Sequence, residues 1–327
     1  MKYRKNFLKF LILLLFIIPL NVFAYSKYVI ASGKTIGIEV NSKGILVVGF
    51  YKIDGKFIGK NAGFEVGDFI IKVDNTDVSS ISSMIDVINN KNTNKINFTI
   101  LRNNKQENIN LDLVSDDSGT LKTGLYVKDQ INGIGTLTYV DPKSKIFGAL
   151  GHEILETTTS KKFEIKDGKI FEANVSSITK SRSGNAGEKN ANYDKENVSG
   201  RIKSNDVTGI YGVYNDNIDN LDTIEVGKKE DVKVGPAIIR TVINNSDIEE
   251  FDINILGVDF NSKTKNILFE ITDNNLLSKT GGIVQGMSGS PIIQNNKIIG
   301  AVNYVIVNDT SKGYAIFITT MLEEGEK

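Results

Sequence analysis

Apolar residues in this chain come in short runs, separated by clusters of Gly, Asn, Asp and Ser. From residue 133 onward the runs at 133–140, 170–175, 208–214, 237–243, 251–256 and 266–271 alternate apolar with polar or small positions. That period of two predicts strands, and no helical period interrupts them, so this half reads as all-β. The part before it is mixed. Runs at 45–50, 69–73, 96–101 and 109–114 predict strands, while residues 61–66 and 81–89 predict helices. The second helix carries Ile81, Met84, Ile85 and Ile88 on one face. A polar stretch beginning Ser115-Asp-Asp-Ser-Gly119 reads as a boundary, which divides the chain into a small α+β unit (31–114), a linker (115–130) and a β domain (131–327). Residues 180–205 are polar and glycine-bearing; they read as a long exposed connection, with an activation or substrate loop as the alternative.

Residues 1–24 stand apart. Lys2, Arg4, Lys5 and Lys9 precede an apolar core of about eleven residues and then Val22-Phe-Ala24, the pattern of an export signal. That core falls short of the roughly 20 residues a stable span needs, so cleavage or a marginal anchor is expected, and the rest is exported. Without this segment 35 bases face 39 acids. A slightly acidic body gives nucleic acid no footprint, so none is expected as a partner. The absence of cysteine excludes disulfides, a thiol nucleophile and thiolate metal sites, and with a single histidine neither a conventional zinc site nor a cofactor is expected.

The densest chemical signal is Gly281-Gly-Ile-Val-Gln-Gly-Met-Ser-Gly-Ser-Pro291, followed by Ile-Ile, the turn pair Asn295-Asn296 and Ile298-Ile299. A serine among small residues, followed by a hairpin, is how a chymotrypsin-like barrel presents a nucleophile. Ser288 is the candidate, favoured over Ser290 because it directly follows the tight turn. Gly286 and Gly289 permit sharp turning, so the N–H groups of Gly286 and Ser288 can form an oxyanion hole. A serine hydroxyl needs a base, and His152, at the end of Phe147-Gly-Ala-Leu-Gly-His152, is the one histidine available. A Ser-Lys dyad would need a buried lysine, and nothing in the surroundings of Lys279 or Lys297 suggests burial. For the carboxylate that would orient the imidazole, Asp273 and Asp259 both end apolar strand-like runs, and composition does not choose between them. Asn303, Tyr304 and Val305 occupy the strand that would form the substrate-pocket wall.

These three blocks resemble those of the stage IV sporulation protein B peptidases, serine proteases of endospore-forming bacteria, and the likeness extends over nearly the whole chain. The resemblance implies a triad of His152, Asp273 and Ser288 on a chymotrypsin-like two-lobed β-barrel, thereby favouring Asp273 over Asp259. It departs at Tyr304, where a histidine is expected. Ala62-Gly-Phe-Glu-Val-Gly-Asp68-Phe-Ile-Ile resembles the hallmark segment of PDZ domains, which makes Ser32 to Ile38 the peptide-carboxylate loop and its strand, with Thr35, Ile36, Gly37 and Ile38 as the groove. The expected fold is mainly β with a small α+β PDZ domain. The family likeness further implies a membrane-associated signalling protease delivered to the intermembrane space of the forespore. There it would cleave itself and a membrane-bound regulatory protein, triggering sigma-factor maturation. The rival is a PDZ adaptor on a catalytically dead barrel. A quality-control protease with a trailing PDZ is disfavoured by the domain order.

Overall fold

The computed structural model describes residues 25–91, 93–116 and 118–327. The expected export signal, residues 1–24, lies outside them. Among the described residues no helix is long and apolar enough to cross a membrane.

Two rings of antiparallel strands dominate. In the first, Thr35–Phe50 pairs with Leu125–Val140, which pairs with Ile146–Ala149, then Gly209–Tyr214, Glu188–Asp206 and Ile165–Thr179, and the last returns to Thr35–Phe50. In the second, Gly235–Val242, Ile248–Val258, Ile267–Ile271, Lys312–Phe317, Lys297–Val305 and Pro291–Gln294 close in the same way. Closure leaves no unpaired edge between members of a ring. The inward positions of each ring form a separate apolar core, one centred on Val40, Phe147 and Ile170, the other on Ile255, Phe269 and Met287. The short strand Tyr28–Ala31 ties the rings together. Its residues Ile30 and Ala31 pair with Val140 and Tyr139, while Tyr28 and Val29 pair with Glu225 and Ile224. Asn295 and Asn296 both adopt positive φ, 50° and 60°, as the two-residue hairpin requires.

The α+β unit forms a third core around Phe64, Ile70, Met84 and Phe98. Its helix is Ile81–Asn89, as its apolar spacing predicts, capped by Ser80 in a reciprocal pair with Ser83. The short helix lies at Ile58–Asn61, earlier than the expected 61–66. Asp68 is buried and held by Arg102 (Nη2 to Oδ2, 2.7 Å) just after the Gly67 turn.

The boundaries are not the linear ones expected. Thr35–Phe50 and Leu125–Val140 each run from one unit into the other: residues 35–41 pair with 130–136 inside the first barrel, and 46–50 pair with 125–128 inside the α+β unit. The small unit is therefore inserted into a barrel hairpin. Residues 125–130 are ladder strand and not linker. The polar 180–205 stretch also departs from expectation. It is mostly the long strand Glu188–Asp206, and its polar residues are accommodated because one face of that strand looks outward.

Candidate active site

The loop from Gly281 to Ser290 is pinned through its carbonyls. Thr136 Oγ1 donates to Gly286 O (2.7 Å) and Thr138 Oγ1 to Gly289 O (2.7 Å), while Thr136 N–H donates to Ser288 O (2.9 Å). The peptides that carry the Gly286 and Ser288 N–H groups are fixed through their own carbonyls, Gln285 O accepting from Lys189 N–H and Met287 O from Ser290 N–H, and among the described residues those two N–H groups have no protein acceptor. Gly286 has φ 93° and Gly289 φ 95°. A Cβ on Gly289 would collide with the Thr136 carbonyl, so only glycine lets the two barrels meet this closely. Ser288 is half-buried, whereas Ser290 is fully buried and its hydroxyl has no partner. A nucleophile must meet substrate, and that requirement separates the two serines.

His152 follows a turn in which Leu150 and Gly151 both have φ 70°. Its ring stacks on Tyr304, with centroids 5.6 Å apart and planes at 26°. Nδ1 lies 2.8 Å from the Glu153 carbonyl oxygen. A carbonyl only accepts, so Nδ1 carries the hydrogen and Nε2 carries the lone pair, the tautomer a general base needs. Burial holds the imidazole pKa below its ordinary value, with the Glu153 contact opposing it, so the ring is neutral at pH 7. Ser288 Oγ donates to Asn303 O at 3.3 Å. His152 and Ser288 thus reach the same strand segment, one through Tyr304 and the other through Asn303. Among the described residues no hydrogen bond joins them. Apo catalytic pairs are commonly looser than the complexes they form.

Two expected assignments are corrected. Asp273 does not orient the imidazole: its Oδ1 accepts the Leu276 N–H at 2.8 Å and caps the helix Asn274–Thr280. Asp259 is likewise a local cap, accepting from Asn261 and Ser262. The place given to a carboxylate at Nδ1 is taken by a backbone carbonyl. The groove assigned to Thr35, Ile36, Gly37 and Ile38 is also closed. All four pair on one edge with residues 133–136, and Ile36, Gly37 and Ile38 pair on the other with residues 170–172, so no peptide can add along them. A Cβ on Gly37 would strike the Tyr193 ring, which stacks on Phe171. Asn303, Tyr304 and Val305 lie on Lys297–Val305, with Tyr304 and Val305 opposite Tyr314 and Gly313 and the Asn303 carbonyl turned to Ser288.

The family model of SpoIVB peptidase S55 matches residues 119–322, and that of the PDZ domain matches residues 36–113. The chain belongs to the SpoIVB peptidase S55 family. It is a serine peptidase that carries a PDZ domain, and its fold is mainly β with a chymotrypsin-like peptidase part. Among solved structures, the PDZ domain of an SdrC-like protein from Listeria monocytogenes is 23% identical, covering 27% of this chain and 90% of its own, with a TM-score of 0.23. The active form of the Rv3671c protease from M. tuberculosis is 15% identical, covering 57% of this chain and 70% of its own, with a TM-score of 0.31. No curated protein matches.

In this S55 peptidase, sequence reasoning missed the threonines that aim the oxyanion loop. Gly135-Thr-Leu-Thr138 offered one signal: two hydroxyls at alternate positions of a strand share a face, here a buried one turned to the serine loop. It also missed Lys189, a buried amine behind that loop.

Proposed function

We propose that this S55 peptidase cleaves peptide bonds with Ser288 as nucleophile and His152 as general base. The scissile carbonyl enters between Ser288 and the strand at Asn303, and Nε2 of His152 takes the hydroxyl proton as Oγ attacks. The N–H groups of Gly286 and Ser288 receive the oxyanion, and His152 returns the proton to the leaving amine. The observation that carries this reading is the pair of unengaged N–H groups flanking a half-exposed serine, on a loop whose carbonyls are all turned away. The Glu153 carbonyl supports the required tautomer without a carboxylate.

The substrates are proteins, among them this chain itself and a membrane-bound regulator whose cleavage leads to sigma-factor maturation during sporulation. The family membership and the export-type residues 1–24 support that setting, in the space between the forespore membranes. Labelling by a fluorophosphonate tests the chemistry. The wild type is modified at Ser288, while Ser288→Ala and His152→Ala are not, and neither variant processes itself. An unmodified wild type would leave a PDZ scaffold on an inert barrel.

A further inference from the structure

Lys189 is the only buried lysine or arginine among the described residues, 4% exposed, and no carboxylate lies within ion-pair distance of it. Its neighbours are the parts of the active loop. The Lys189 N–H donates to Gln285 O (2.9 Å) while the Gln285 N–H donates to Gly187 O (2.7 Å), so residues 187–189 grip the residue before Gly286 from both sides. A Cβ placed on Gly286 would lie 3.1 Å from Lys189 Cβ and 3.2 Å from its Cγ and Cδ, which makes the aliphatic stem the surface on which Gly286 rests. At its far end Nζ donates to Thr35 Oγ1 of the first barrel (3.3 Å) and Thr241 Oγ1 of the second (2.9 Å).

We propose that Lys189 is a positioning residue of the oxyanion loop: stem and amine together hold the Gly286 peptide in the orientation that keeps its N–H turned to the substrate, and tie that loop to both barrels. This rests on the peptidase reading above. Glycine at positive φ is free to flip its flanking peptides, so something outside the loop must select one state. The Lys189 N–H on the Gln285 carbonyl selects that state, and the stem supports it by filling the space behind Gly286.

The amine adds a dependence on pH. Burial alone drives its pKa to about 7. A neutral amine has two N–H groups, and the two threonine hydroxyls match them. A proton adds a third N–H and a charge, and among the described residues Nζ has no third hydrogen-bond acceptor and no ion-pair partner. The charges flanking its partners are committed elsewhere, Lys34 to Glu172 and Arg240 to Glu250, and the adjacent Glu188 is exposed. Below neutrality the loop therefore loosens.

The test uses the full chain, its Lys189→Ala and Lys189→Met variants, the fluorophosphonate labelling rate and amide exchange of residues 281–290 across pH. Lys189→Ala should slow labelling about 100-fold, the loss typical of one oxyanion donor, and speed exchange at every pH. Lys189→Met, which keeps the stem, should restore most of that rate and remove the excess exchange the wild type shows below neutrality. Wild-type labelling and exchange in Lys189→Ala would overturn the proposal, as would a Met variant whose exchange retains the wild-type pH dependence. An unlabelled wild type whose exchange still rises in Lys189→Ala would overturn the peptidase reading and leave the role of Lys189 standing.

Discussion

Replacing Lys189 by methionine should make the protein more stable in mild acid and about 1–3 kcal/mol less stable in strong alkali. In the unfolded chain the lysine titrates at 10.5, and in the folded protein burial lowers this to about 7. Between those values the unfolded chain holds a proton that the folded chain lacks, so wild-type stability rises with pH at about 1.4 kcal/mol per unit. The penalty is fully present below pH 7 and disappears as pH approaches 10.5. Three and a half units correspond to about 5 kcal/mol. Methionine removes the titration and keeps most of the stem, but leaves the Thr35 and Thr241 hydroxyls without their donor, a loss of about 1–3 kcal/mol. The variant should then exceed the wild type by roughly 2–4 kcal/mol near pH 6.5 and lose that advantage by about pH 10. Urea unfolding followed by circular dichroism, with both proteins measured at each pH, isolates this difference because the other titrating groups are shared. A gap between the two proteins that does not change between about pH 7 and pH 10 would show that the buried amine keeps its ordinary protonation, and the reasoning would fail.

Other consequences can be checked singly. Ser290→Ala should leave fluorophosphonate labelling intact and cost almost no stability in thermal unfolding, because the hydroxyl it removes has no partner. In Lys189→Met, where no buried amine titrates, the acidic limb of kcat/KM should fall below the ordinary histidine pKa near 6.5, since burial of His152 favours the neutral base; a limb above that value in a pH-rate profile would contradict it. Asp273→Asn keeps a capping side chain and should retain turnover, while Asp273→Ala should destabilise by about 1 kcal/mol in urea. Thr136→Val removes the donor that turns the Gly286 carbonyl away, and should lose about 1–3 kcal/mol of stability together with a slower labelling rate.

The parts of the fold written in local pattern were legible. The helix Ile81–Asn89, the Asn295-Asn296 turn and the strands from residue 133 onward follow from spacing and from residues that tolerate positive φ, because each depends on neighbours a few positions away. The serine loop was legible for the same reason: its glycines are a local demand with a local signature. What failed depended on partners distant in sequence. Asp273 at a strand end looks alike whether it faces an imidazole or caps the following helix, and only the fold decides. Gly37 and Ile38 read as a free strand edge, yet both edges are filled by strands some 100 and 130 positions downstream, whose register no local pattern specifies. Lys189 sits in a polar run, and its burial arises from the convergence of Thr35, Thr241 and Gly286 upon it.

The insertion of the PDZ unit places its two shared strands under the active loop. Thr35 and Thr136 are ladder partners at the barrel end of those strands; one hydroxyl receives Lys189 and the other fixes Gly286. The same strands pair Leu46 with Lys128 inside the PDZ unit, eleven positions from Thr35 on one strand and eight from Thr136 on the other, with the register broken between Asn41 and Leu46. That unequal count is a bulge, which bends the ladder so that it serves two cores at once. At the bend Ser42 is fully buried and a Cβ on Gly44 would lie 2.9 Å from the Ile70 carbonyl, so the backbone is confined there by packing from the PDZ side. A ladder of this length, about 35 Å at 3.3 Å per residue, transmits displacement only if it stays paired. The pairing runs unbroken from Thr35 to Asn41 on the barrel side and resumes from Leu46 to Phe50 on the PDZ side, with one further register shift between Val47 and Gly49. The geometry that aims the oxyanion loop therefore belongs to both units, and the peptidase part, cut away from residues 35–42, would lose one strand of its first barrel and the hydroxyl that anchors Lys189.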